Sequence, residues 1–193
     1  MKKYVFALSV LIPFVWISCQ PKQPEKKSDL QFTINPDLLG FVHTDTNSGF
    51  TVSIPKGWLP LSVFDSVVQN KFTVVEDSLS LGTIYLDSLQ QGGSVFIYSL
   101  PEADTVTLAK IYQNPDSAFN QQKIWQQILK STFYHNGLRI RQYLLQSNDL
   151  VTFKLVITEG TRYPVQLDYV LSRNTYMQHV KKIESSIGSI NSL

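Results

Sequence analysis

The stretch TFYHNGLRIRQYLLQSNDLVTFKLVITEGTRYPVQLDYVLS, Thr132 to Ser172, decides the fold. Asn136-Gly137 between alternating apolar residues is the strongest short hairpin signal, because both residues tolerate the positive φ of a type I′ turn. A two-residue loop there pairs His135 with Leu138 and Phe133 with Ile140. A second such loop at Asn148-Asp149 sets Leu144 opposite Phe153, Gln142 opposite Leu155 and Ile140 opposite Ile157. A three-residue loop at Gly160–Arg162 sets Ile157 opposite Val165, Leu155 opposite Leu167 and Phe153 opposite Tyr169. Each register collects apolar side chains on one face, and a one-residue slip in any pair would scatter them. The stretch is therefore expected to be an antiparallel meander. Its other face carries Tyr134, Arg139, Arg141, Tyr143, Thr152, Lys154, Gln166 and Asp168, with Val156 and Val170 among them. The same register puts Lys154 across from Asp168, a structural charge pair.

Elements on either side follow from periodicity. Phe41–Asp45, Gly49–Ile54, Leu81–Asp87 and Ser94–Leu100 read as strands, and Pro55-Lys56-Gly57 as a turn. Leu61–Phe72 has helical apolar spacing, and a short helix is expected over Thr105–Tyr112. Asn114-Pro115-Asp116 is a helix start, with a capping Asn, Pro in the first turn and an acid near the positive end. That helix is expected to run to about Ser131, burying Trp125. Tyr176, Val180, Ile183 and Ile187 form a stripe on a last helix that Gly188 can end.

The N-terminus reads as an address. Lys2-Lys3 precedes an apolar run from Tyr4 to Ile17, broken by Pro13. At ~1.5 Å per residue that run spans roughly 20 Å, short of the ~30 Å hydrocarbon layer. A basic start, a short apolar stretch and a small residue before a cut site describe a secretory signal. Ser18 is that small residue, and Cys19, the single cysteine of the 193-residue chain, follows it. Trp16-Ile17-Ser18-Cys19 resembles a bacterial lipobox, with Trp16 standing where Leu is usual. The resemblance implies removal of residues 1–18, diacylglycerol on the Cys19 sulfur and acylation of its new amino group. A secreted protein with a spare thiol and an N-terminal membrane anchor are the other readings of the same residues. More than one acyl chain would give firm anchoring. Residues 19–29 form a polar tether with Pro21 and Pro24, and a folded domain is expected over 30–193. Loss of Lys2 and Lys3 turns the formal charge of +2 into zero, which gives nucleic acid nothing to bind.

Motifs for chemistry are sparse. The sequence has no HExxH, no zinc spacing and no phosphate loop, and Gln90-Gln-Gly-Gly93 lacks the following Lys. No metal or cofactor is therefore expected. His43, His135 and His179 lie far apart along the chain, Glu76-Asp77 and Asp87 read as solvated acids, and an acylated Cys19 is no nucleophile. A hydrolase would need histidine and acid side chains to converge in one cleft.

Two segments carry a family resemblance. Gly49-Phe-Thr-Val-Ser-Ile-Pro-Lys-Gly-Trp58 resembles the opening strand and turn of PsbP-like domains. Val165–Leu171 followed by Tyr176–Ile187 and the ending Ser185-Ser-Ile-Gly-Ser-Ile190 resembles their closing unit. The likeness covers most of residues 40–190 in element order, with its specific motifs at the two ends. The family includes photosystem extrinsic subunits and envelope lipoproteins of the DcrB kind. It implies an α+β fold, an α/β/α sandwich around an antiparallel sheet, with no shared catalytic residues. Its members mostly serve in docking, assembly or accessory roles; the ion-related motifs of the photosystem members have no counterpart here.

The expectation is thus a non-enzymatic envelope lipoprotein, held to the inner or outer membrane through Cys19, that presents its domain to another envelope protein. Tyr134, Arg139, Arg141 and Tyr143 form the candidate partner surface, since Arg and Tyr make good interface anchors. The alternative is a small-molecule or lipid carrier with an apolar pocket between sheet and helices, lined by Trp58, Trp125 and Phe153.

Overall fold

The computed structural model describes residues 32–63, 81–89, 92–99 and 126–193. Within them lie strands β1 (Leu39–Asp45), β2 (Phe50–Pro55), β3 (Trp58–Pro60), β4 (Leu81–Asp87) and β5 (Gly93–Ser99). These are followed by β6 (Gln127–His135), β7 (Leu138–Gln146), β8 (Leu150–Glu159), β9 (Val165–Ser172), helix α1 (Tyr176–Gly188) and β10 (Asn191–Ser192). The expected helices over Thr105–Tyr112 and most of Leu61–Phe72 fall outside the described residues; only a 3₁₀ turn, Leu61–Val63, is seen at the start of the latter.

The meander β6–β9 has the three registers its sequence demands. Phe133 faces Ile140, Leu144 faces Phe153, and Leu155 faces Leu167. Asn136 at φ 48° and Gly137 at φ 76° form the tight turn between β6 and β7. Lys154 Nζ lies 3.2 Å from Asp168 Oδ2, and Gln166 Nε2 donates to the same oxygen at 2.8 Å. Burial still pushes the Asp168 carboxyl above its ordinary value, with Lys154 and Gln166 opposing the shift.

Among the described residues, ten strands form two antiparallel sheets. The larger has the order β3-β4-β5-β9-β8-β7-β6, and the smaller β1-β2-β10. Tyr85, Val95, Ile97, Phe133, Ile140, Phe153, Leu155, Ile157, Val165, Leu167 and Tyr169 supply one face of the large sheet to the core. Phe50, Val52 and Ile54 of β2, together with Ile183 and Ile187 of α1, close over it, all at most 2% exposed.

This architecture corrects the expected α/β/α sandwich. The described residues hold a single α-helix, and the fold is β-rich. Part of the discrepancy lies in residues 127–131, expected to end a helix beginning at Pro115. They are strand instead, because β7 offers a full-length partner: Gln127 pairs with Gln146 and Leu129 with Leu144. Cross-strand pairing overrode a helical apolar spacing.

Three serines tie the helix end to its surroundings, and one of them, Ser186, joins the small sheet to the large one. Ser186 Oγ donates to Ser53 O at 2.5 Å and accepts from the Tyr169 hydroxyl at 2.8 Å. Ser189 Oγ accepts from Ser53 N at 2.8 Å and donates to Ser186 O at 2.7 Å. Ser185 Oγ accepts from Asn35 N at 3.2 Å. Beyond the helix, β10 pairs Asn191 with Thr51 and Ser192 with Phe50, and Leu193 N donates to Gly49 O. The outer edge of β2 is thus occupied first by serine side chains and then by a strand. Gly188 is the last residue of the helix and Ser189 its cap, so the glycine does not end the helix by a left-handed turn; its φ is ordinary, and it is needed because a Cβ there would lie 2.6 Å from Phe32 Cβ. From the other side, His135 Nε2 donates to Gly188 O at 2.8 Å, and Asn136 Nδ2 to Ile190 O at 2.9 Å.

Candidate functional site

An open polar groove of about 570 Å³ lies where β5 ends and β1 turns into β2. Its described lining comprises His43–Ser48, Thr83, Ile97, Ser99, Arg162 and Tyr163. Asp45 organises one wall. Its Oδ1 accepts from Asn47 N at 2.9 Å and Ser48 N at 3.2 Å, the local bonding that makes Asp a turn former. Its Oδ2 accepts the Ser99 hydroxyl, which ties the turn to the end of β5. The facing loop is joined to this turn by Arg162 N donating to Ser48 O at 2.7 Å. Two loops distant in sequence are therefore held as one rim.

His43 stands two residues before Asp45, on the same side of β1. Its Nδ1 shares a hydrogen bond with the Tyr85 hydroxyl at 2.7 Å, and its ring packs edge-on against Tyr85. Burial lowers the His43 pKa, the nearby Asp45 charge opposing it; the imidazole is neutral at pH 7. Burial would raise the Asp45 pKa, but the hydrogen bonds from Ser99, Ser48 and Asn47 outweigh it and hold the carboxyl below its ordinary value. At neutral pH the groove holds an ionised carboxylate beside a neutral imidazole. The Ser99 hydroxyl donates to the carboxylate, so serine, histidine and acid are not strung in the order that activates a nucleophile. What this arrangement offers is fixed hydrogen-bonding groups over an apolar floor at Ile97.

The residues singled out in the sequence lie elsewhere. Tyr134, Arg139, Arg141 and Tyr143 share one sheet face, as the alternation requires, with Tyr134 directly across from Arg139. That face is not an open surface. Tyr143 is 5% exposed and Leu145 beside it 1%, so Tyr143 packs instead of presenting itself. Arg139 Nη1 pairs with Glu159 Oε1 at 2.7 Å, and Tyr134 and Arg141 are half-buried. Trp58 is 1% exposed, seated on Gly93 and against Tyr169 and His179. Phe153 stacks on Tyr176 at 6.0 Å. Both are packing residues of the core, and neither lines the groove. Trp125, Glu76, Asp77 and Cys19 lie outside the described residues.

The histidines occupy three separate places. His135 is bound to the helix end, His43 lines the groove, and His179 is buried 3.8 Å from Asp87. Burial lowers the His179 pKa; Asp87 opposes this and Lys182 reinforces it. No cluster of metal-ligating side chains occurs among the described residues, and no described helix is long and apolar enough to cross a membrane. Sequence reading missed the groove because its walls meet through contacts 42 and 54 residues apart. The one local signal was Asp45-Thr-Asn-Ser-Gly49, read only as a connection.

Two antiparallel sheets, a closing helix laid over the larger one and a short last strand define a PsbP-like fold. The solution structure of cyanobacterial PsbP (CyanoP) from Synechocystis sp. PCC 6803 matches it with a TM-score of 0.50 over 79% of this chain and 92% of that one, at 15% identity. No family model and no curated protein sequence matches the chain.

Proposed function

We propose that the chain is a lipid-anchored envelope protein whose PsbP-like domain binds another protein without catalysing a reaction. Three lines of support converge. The Lys2-to-Cys19 segment has the layout of a lipoprotein signal, the remaining chain carries no net charge, and the fold is one used outside catalysis. The observation that carries the binding half is the groove. Its rim is welded by the Arg162–Ser48 bond and its carboxylate is held by Ser99, so its polar groups meet a partner already ordered. The carrier reading would need apolar space beside Trp58 and Phe153, where rings are packed.

Two measurements test the proposal. Cys19→Ala should move the chain from the membrane fraction to the soluble fraction, and native protein should have the mass of a triacylated chain beginning at residue 19. Retention of Met1 or an unmodified thiol would overturn the anchor. A photoreactive side chain at Thr46, on the groove rim, should give one discrete adduct in intact cells, and the same probe at exposed Met177 should not. Equal labelling at both positions would remove the groove from the function.

A further inference from the structure

The tip of the β6–β7 hairpin is also the seat of the chain end. Asn136 and Gly137 are both exposed, and His135 pairs with Leu138 behind them, so the Gly137 N–H lies in the turn and outside the ladder. Among the described residues, a Cβ at Gly137 would meet no atom within 4 Å, so water reaches this peptide bond freely. The Asn136 amide reaches back to the chain end. Its Nδ2 donates to Ile190 O at 2.9 Å and lies 3.1 Å from His135 Nε2, which itself donates to Gly188 O. Ile190 is buried, and its own N–H donates to Ile187 O.

Asparagine followed by glycine is the pair most prone to spontaneous deamidation, because glycine has no side chain to shield its backbone nitrogen. Asn136 is the one asparagine of the chain that precedes a glycine. The reaction balances with water alone and involves no oxidant. The Gly137 nitrogen gives its proton to hydroxide and attacks Asn136 Cγ. The Cγ–Nδ2 bond breaks, Nδ2 takes a proton from water and leaves as ammonia, and a succinimide ring closes. One water then opens the ring, giving aspartate or, by cleavage at the other carbonyl, isoaspartate. Attack requires Asn136 Cγ to swing onto the nitrogen of the next residue. The positive-φ turn and the bond to Ile190 O both hold the side chain elsewhere.

We infer that Asn136 is a self-modifying latch, which deamidates when the chain end lifts off the hairpin tip and cannot close again afterwards. The new carboxylate accepts where the amide donated. It repels Ile190 O and competes with Gly188 O for the His135 N–H. Aspartate keeps the turn, since Asp-Gly suits type I′ as Asn-Gly does. Isoaspartate adds a methylene to the backbone and disturbs the register behind it. Each opening of the chain end is thus a chance to be recorded in the covalent chain. Neither the lipid anchor nor the groove enters this chemistry.

The test incubates the purified full chain in detergent at mildly alkaline pH and follows the mass gain of an amide-to-acid change, localised by peptide mapping. Conversion should concentrate at Asn136, ahead of Asn47 and Asn191, which precede serine. Ser189→Ala, which loosens the helix end, should speed conversion about fivefold. Val151→Ala, a core substitution at the far end of the meander from the tip, should leave the rate within about twofold. Asn136→Asp, the finished product, should expose the Ile190 and Leu193 amides to hydrogen exchange about tenfold faster and leave the Leu155 amide unchanged. Four results overturn the latch. Asn136 could stay intact in the folded chain while it converts in urea. Ser189→Ala could convert no faster than wild type. Val151→Ala could speed conversion as much as Ser189→Ala, making global unfolding the step recorded. Asn136→Asp could exchange like wild type at Ile190 and Leu193, a readout that stands even if Ser189→Ala fails to fold.

Discussion

The two edges of the small sheet are finished in opposite ways. On β2 the edge is taken up by Ser186, Ser189 and then β10, all from the last residues of the chain. On β1 the equivalent groups, at Val42 and Thr44, face out beside exposed apolar side chains. Both edges are β-strand of similar length, so strand propensity does not separate them. What separates them is a partner: one edge has two serines, Ser186 and Ser189, at the right spacing on a helix end, and no described strand pairs with the other.

Substitutions can break this contrast, most strongly at the closed edge. Gly188→Val should destabilise the domain by about 3 kcal/mol, since its side chain would meet Phe32 at the point where the helix end seats; denaturant unfolding would measure it. Ser186→Ala should cost about 2 kcal/mol, because it leaves the Ser53 carbonyl and the Tyr169 hydroxyl short of a buried partner. A double variant with Tyr169→Phe should recover part of that loss. Ser189→Ala, which leaves only the Ser53 N–H unmatched, should cost about 1 kcal/mol by the same assay. Val42→Ser, at the open edge, should change stability by no more than about 0.5 kcal/mol. If Val42→Ser proved as damaging as Ser186→Ala, the two edges would be energetically alike and the contrast would be lost.

The sequence made the meander legible because turn chemistry and alternation agree there. Asn136-Gly137 fixes one register, and the apolar residues of the following strands fit only one pairing each. It misled at residues 127–131, where Ile128 and Leu129 fit a helical spacing; their real determinant, Leu144 and Leu145 across the strand pair, acts only in the folded sheet. The Arg–Tyr surface was legible only in part, for a related reason. Alternation places Tyr134, Arg139, Arg141 and Tyr143 on one face but is silent on whether that face is covered, and Tyr143 is buried. The closing motif Ser185-Ser-Ile-Gly-Ser-Ile190 was visible as a likeness before it had a cause. The structure gives each position one: three serines bond Asn35 and Ser53, the isoleucines enter the core, and the glycine makes room for Phe32.

The serine contacts join residues 133 and 136 positions apart, whereas the strands of the meander pair with their neighbours along the chain. Closing a long loop costs more entropy than closing a short one, so in refolding the latch between helix end and small sheet should form after the meander has assembled.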